Sequence, residues 1–137
     1  MTKLTRALKR FIYEDSLMGT SHEDNINELE FKEFKNETTV EDESMGLFGA
    51  IFEVTVPNIV DNIKFFDGCD EFEQMKRKFH KKNLKDFTLD ELFELIDYFD
   101  QCNNGDCSIF GVGSDSQNNW EITTIDGTQY LMCYGRY

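Results

Sequence analysis

The stretch 45–56 constrains the fold more than any other. Phe48, Ala50, Phe52, Val54 and Val56 recur at every second position, and Leu47 and Ile51 make the opposite face apolar as well. A strand with one wet face would alternate apolar and polar residues along its length. Burial on both faces instead predicts a central strand, in a sheet with other elements packed over it. Glu53 and Thr55 mark where one face reaches solvent, and Pro57 closes the strand because proline has no N–H for a ladder.

The rest of the chain supplies that cover. Leu4, Ala7, Leu8, Phe11 and Ile12 follow helical spacing, which predicts an amphipathic helix over 2–18 with Gly19 as its stop. Lys3, Arg6, Lys9 and Arg10 oppose the macrodipole of that helix, so it needs packing to persist. A polar link follows at 20–25. Leu29 and Phe31 alternate with Glu28, Glu30 and Lys32, as on a half-buried strand within 26–35, and Phe34 breaks the alternation. Residues 36–44 read as a polar loop. Asn58 is placed to cap a short helix holding Ile59, Ile63 and Phe66, ended by Asp67-Gly68. Asp70 and Glu73 have capping-box spacing for a helix to about Lys82, with Phe72, Met75 and Phe79 on one stripe. Thr88 and Glu91 form a full capping box, with Phe87 and Leu92 as its hydrophobic staple. Leu92, Phe93, Ile96 and Phe99 are the buried stripe of that helix, and Asn103-Asn104-Gly105 is its stop.

Strands are predicted at 107–112, 120–125 and 128–134, with a Gly/Ser/Asp/Asn loop at 113–119 and an Asp126-Gly127 hairpin turn. The order α-β-β-α-α-β-β-β gives an α+β domain spanning 1–137. Its sheet is mainly antiparallel, of about four or five strands, covered by three or four helices.

Charge narrows the partners. The chain of 137 residues carries a formal charge of −13, yet it is 39% hydrophobic with 13 Phe and one Pro, too apolar and aromatic for a disordered acidic tail. Phosphate neutralisation needs clustered Lys and Arg, so general nucleic-acid binding and attachment to anionic membranes are disfavoured. Basic residues interrupt any secretory h-region near the N-terminus, and no apolar run reaches the ~20 residues of a membrane span. Cys69, Cys102, Cys107 and Cys133 are then expected as reduced thiols in a cytoplasm.

A catalytic signature is hard to find. His22 and His80 stand outside any HExxH motif, and His80, among Lys81 and Lys82, is expected to be exposed. Cys102 and Cys107 lack the second tight pair a zinc site needs, so no metal and no other cofactor is expected. Asp100-x-Cys102-x-Asn104-Gly105 resembles the start of a calcium loop, but Gly111 occupies the place of the bidentate Glu. Gly111-Val112-Gly113-Ser114 lacks the ending of a phosphate-binding loop. Trp120, Tyr130, Tyr134 and Tyr137 could line a ligand site near the hairpin, and are more simply cross-strand aromatic pairs.

The negative charge is segregated. Residues 21–56 carry ten acidic and two basic side chains, and residues 84–101 carry six and one. Asp90, Glu94 and Asp97 recur at three- and four-residue spacing, an acidic stripe along one helix. Glu37, Glu41, Asp42 and Glu43 concentrate the first block. These seven residues are the predicted contacts with a basic partner, because carboxylates spaced along a rigid surface can replace phosphates in pockets of Lys and Arg. The same stripe also suits a solvated face that keeps the protein in solution. The basic residues of the first helix and of 76–82 are expected to neutralise acidic blocks within the domain or across a dimer; a homodimer stays open.

In size and composition the chain resembles small acidic anti-defence proteins of phages and mobile elements, anti-CRISPR proteins among them. It is similar in the same way to bacterial immunity proteins that neutralise nuclease toxins. The resemblance implies a non-catalytic inhibitor of a nuclease or effector complex, acting by nucleic-acid mimicry in the cytoplasm, that of the host cell if phage-encoded. The alternatives are an immunity protein, or a small ligand-binding domain or enzyme with a site near the 111–119 loop.

Overall fold

The computed structural model describes residues 1–15, 23–43, 46–102 and 119–136. The element order is α1 (Lys3–Asp15), α2 (Glu23–Glu28), β1 (Phe31–Phe34), β2 (Glu37–Asp42), β3 (Leu47–Glu53), α3 (Val56–Ile63), α4 (Asp70–Phe79), α5 (Leu89–Cys102), β4 (Asn119–Ile125) and β5 (Thr128–Arg136), with short 3₁₀ turns at Lys64–Phe66 and Leu84–Asp86. The fold is α+β, and among the described residues five strands form one antiparallel sheet in the order β1-β2-β3-β5-β4.

β3 is the middle strand of the five, paired with β2 on one side and β5 on the other. The apolar residues on its two faces go to two different cores. Leu47 and Ile51 join Val40, Met132 and Tyr134 under Leu4, Leu8, Phe11 and Ile12 of α1 and Ile26 of α2. On the other face Leu131, with the half-buried Phe52, Trp120 and Ile122, packs under Ile59 and Ile63 of α3, Phe72 and Met75 of α4, and Leu92, Ile96 and Phe99 of α5. Each buried Leu, Ile or Phe contributes roughly 1.5–3 kcal/mol, whereas an exposed ion pair contributes about 0–1 kcal/mol. Packing on both faces of β3 therefore dominates the stability.

Several local assignments differ from the sequence reading. Residues 37–42, expected as loop, are β2: Thr38 and Val40 are buried while Glu37, Thr39 and Glu41 face the other way. Neutral threonines hide the period-2 pattern from a search for apolar alternation. Residues 23–28, split between a link and a strand, are α2, because Ile26 and Leu29, three apart, both bury against α1. Thr55, not Asn58, caps α3: its hydroxyl accepts from the Asn58 N–H, and Pro57 lies in the first turn. Asp70 likewise is the first residue of α4, with Cys69 at its cap and no side-chain capping bond. The predicted 107–112 strand, the 113–119 loop, Gly19 and the Asn103-Asn104-Gly105 stop lie outside the described residues.

The unfavourable charge at the start of α1 has a local answer. Thr2 caps the helix through its hydroxyl to Thr5 N (3.1 Å), and Glu33 of β1 accepts from Thr2 N (2.8 Å) and from the Thr5 hydroxyl (2.5 Å). A carboxylate from the sheet thus stands where the helix itself offers none.

Candidate protein-interaction surface

β2 carries the first acidic block on a rigid support. Glu37 and Glu41 lie opposite Phe52 and Phe48 of β3, so both point to the face of the sheet that carries α3, α4 and α5. Glu37, Glu41 and Glu43 are exposed, and Asp42, on the opposite face beside Leu47, is half-buried. Glu41 and Glu43 border a groove of about 420 Å³ that Glu30, Lys32, Thr39 and Phe48 also line. Glu37 stands at the other end of the strand, in a separate groove of about 640 Å³ against α3.

The second block is less bare than the sequence suggested. Asp90, Glu94 and Asp97 are exposed along α5, but Glu94 is paired with Lys78 of α4 at 2.7 Å. Glu91 lies 3.7 Å from Lys81. The basic end of α4 thus neutralises part of α5 within this chain, and Lys3 of α1 does the same for Asp126 in the β4–β5 turn (2.7 Å). Glu94 and Asp97 share a groove with Gln74, Met75, Lys78 and Tyr98 between the two helices. Five of the seven predicted contacts line three separate grooves, Glu37 at one end of β2, Glu41 and Glu43 at the other, and Glu94 and Asp97 between α4 and α5, while Asp42 and Asp90 line none of these three.

Titration behaviour follows the hydrogen bonds. The Thr88 N–H, then the Thr88 hydroxyl and Lys81, hold the Glu91 carboxyl below its ordinary value against the opposing effect of desolvation. Glu33 is lowered in the same way by the Thr2 N–H and the Thr5 hydroxyl. Burial pulls the Lys76 ammonium down, but Asp67 and Glu73 beside it win and its pKa is raised. Cys133 is buried without a charged neighbour, which pushes its thiol up to about 12.

The other candidates resolve simply. His80 is exposed in the left-handed position that ends α4 (φ 55°). Among the described residues, no group of three or more His, Cys, Asp and Glu side chains is placed to hold a metal ion, and no helix is long and apolar enough to cross a membrane. Among the described residues the hairpin ladder sets no two aromatic residues directly opposite one another: Trp120 faces Cys133, Tyr130 faces Thr123, and Tyr134 faces Asn119. Tyr134 instead meets Phe11 of α1 edge-on, with ring centroids 5.3 Å apart, because helix packing and not the β4 ladder provides its neighbour. His22, Cys107, Tyr137, the calcium-loop fragment beyond Cys102 and the 111–118 glycine-rich segment lie outside the described residues, as does the side chain of Cys102.

Sequence reasoning missed the residues that shape the groove around Glu37: Phe34, Phe52, Asn58 and Asn62. Their association depends on the β1–β2–β3 register, which was hidden while 36–44 read as loop. The alternation of Thr38 and Val40 with Glu37, Thr39 and Glu41 was the available signal.

A scan of protein-family models, a search of curated proteins and a search of solved structures each return no match to the chain.

Proposed function

We propose that the protein is a non-catalytic acidic inhibitor that binds a basic, nucleic-acid-handling protein, a nuclease or effector complex of the kind that phage anti-defence proteins target. Its place of action is the cytoplasm. The observation that carries this reading is the row of exposed carboxylates Glu37, Glu41 and Glu43 along one sheet strand and its exit. Glu37 and Glu41, four residues apart on an antiparallel strand, advance about 14 Å, about four phosphate steps of axial rise along one strand of a duplex. β2 lies inside the sheet, between β1 and β3, so Glu37 and Glu41 are held without the entropy cost of ordering a loop. The α5 carboxylates extend the negative field and steer encounter more than they hold the complex.

The experiment is a panel of purified nucleases and CRISPR effector complexes, read for loss of nucleic-acid binding. One member is expected to be inhibited, with affinity that falls steeply as salt rises. The triple charge reversal Glu37→Lys, Glu41→Lys, Glu43→Lys is expected to restore nucleic-acid binding by that member. Equal inhibition by the triple variant, or no inhibition of any member, overturns the proposal.

A further inference from the structure

The groove around Glu37 has a composition that the acidic-surface reading does not use. Phe34 pairs with Glu37 across β1 and β2, and Glu37 pairs with Phe52 across β2 and β3. Directly opposite residues share a face and stand about 5 Å apart at Cβ. The three therefore form one row, a carboxylate flanked by two phenyl rings. Glu53 stands at the end of β3 in the same groove, and Asn58 and Asn62, one turn apart on α3, form the facing wall.

Phe34 is 58% exposed, one of the few large apolar side chains left in water among the described residues. Elsewhere the protein places its own lysines over phenyl rings: Lys9 over Phe31, Lys64 over Phe65 and Lys78 over Phe79. Among the described residues, neither Phe34 nor Phe52 has such a cation, and Glu37 and Glu53 make no ion pair. Lys35 lines the groove but pairs with neither carboxylate. The groove thus combines an uncovered aromatic ring, the Glu37 carboxylate without a cation and two amide side chains.

We infer that this groove receives an arginine side chain of the partner protein, the guanidinium resting on Phe34 and forking onto Glu37. The inference rests on the proposed binding to a basic partner and names the contact within it. A guanidinium is planar and weakly hydrated, stacks on an aromatic face and donates in a rigid fork that matches a carboxylate. The Asn58 and Asn62 carbonyl oxygens supply acceptors for its remaining N–H groups. A lysine ammonium is compact and strongly hydrated, and makes less of the same surroundings.

The test uses three peptides, acetyl-Gly-Arg-Gly-amide and its lysine and citrulline counterparts, titrated into the full-length protein and followed by NMR. The arginine peptide is expected to shift the Phe34 ring and the Asn58 and Asn62 side-chain amides saturably, the lysine peptide several-fold more weakly, and the neutral citrulline peptide not at all. Phe34→Ala is expected to weaken arginine binding about two- to fivefold and Glu37→Gln to abolish it, while Asp90→Asn, on α5, leaves it unchanged. Equal binding of arginine and lysine, or arginine binding indifferent to Phe34→Ala and Glu37→Gln, overturns the inference as mere attraction to an acidic surface. Absence of peptide binding alongside inhibition that the β2 triple reversal abolishes also overturns it, and leaves the proposed function standing. Specific arginine binding with no inhibited effector sustains the groove and removes the proposed function.

Discussion

Gly49 and Tyr134 lie directly opposite one another on β3 and β5, and a Cβ on Gly49 would stand 3.2 Å from Tyr134 Cβ. The same Cβ would meet Cys133 O and Val40 Cγ1, each at 3.3 Å. Tyr134 is almost fully buried against Phe11, so it has little room to withdraw. Gly49→Val is expected to destabilise the fold by about 2 kcal/mol through overpacking. Chemical denaturation measures the loss, and the Phe11 and Tyr134 ring resonances should move with it. Unchanged stability would show that α1 can shift away from the sheet.

The capping box at the start of α5 is reciprocal: Thr88 N donates to Glu91 Oε1 at 2.8 Å, and Glu91 N donates to Thr88 Oγ1 at 3.2 Å. Thr88→Ala is expected to cost about 1 kcal/mol. The residue 88 N–H still donates in that variant, so the Glu91 carboxyl should rise only in part, by loss of the hydroxyl's contribution, which an NMR titration reads directly.

Glu33 ties β1 to the start of α1, and its carboxyl is held low by the Thr2 N–H and then the Thr5 hydroxyl. A carboxylate with a folded-state pKa below the unfolded one binds fewer protons when folded. Its stabilisation is therefore complete above the ordinary carboxylate range and is lost as pH falls through the lowered value. Stability is expected to decline on acidification, and Glu33→Gln should flatten that decline. An acid limb of the same steepness in the variant would refute the assignment.

Cys133 sits in the sheet between β3 and β4 with 1% exposure, and its thiol is pushed up to about 12. Alkylation at neutral pH is expected to spare Cys133 until the protein is unfolded, while the half-buried thiol of Cys69 reacts in the native state. Mass spectrometry after brief iodoacetamide treatment distinguishes the two sites.

The features legible in the sequence are those governed by neighbours along the chain. The Thr88–Glu91 box, the Asp126-Gly127 turn, the α1 stripe and the two-faced apolar strand β3 all appear, although β3 ends at Glu53 and Val56, expected in the strand, opens α3. β2 escaped because its threonines, though strand-favouring, are polar and do not register as apolar alternation, and only the pairing of Thr38 with Ile51 makes Thr38 buried. The acidic stripe on α5 was legible as a stripe, but its pairing with α4 through Lys78 and Glu94 was not, since those residues are sixteen apart in sequence.

Sequence alone determined that a doubly apolar strand had to lie inside a covered sheet, since nothing else removes both of its faces from water. It also determined that the chain carries its excess negative charge in two blocks. Only the tertiary structure decided which neighbours those charges have. Strand register set Glu37 between Phe34 and Phe52, and helix packing joined Glu94 to Lys78. Coulomb attraction and ring stacking act over a few ångströms of space, and which side chains come within that range is fixed by the fold and not by distance along the chain.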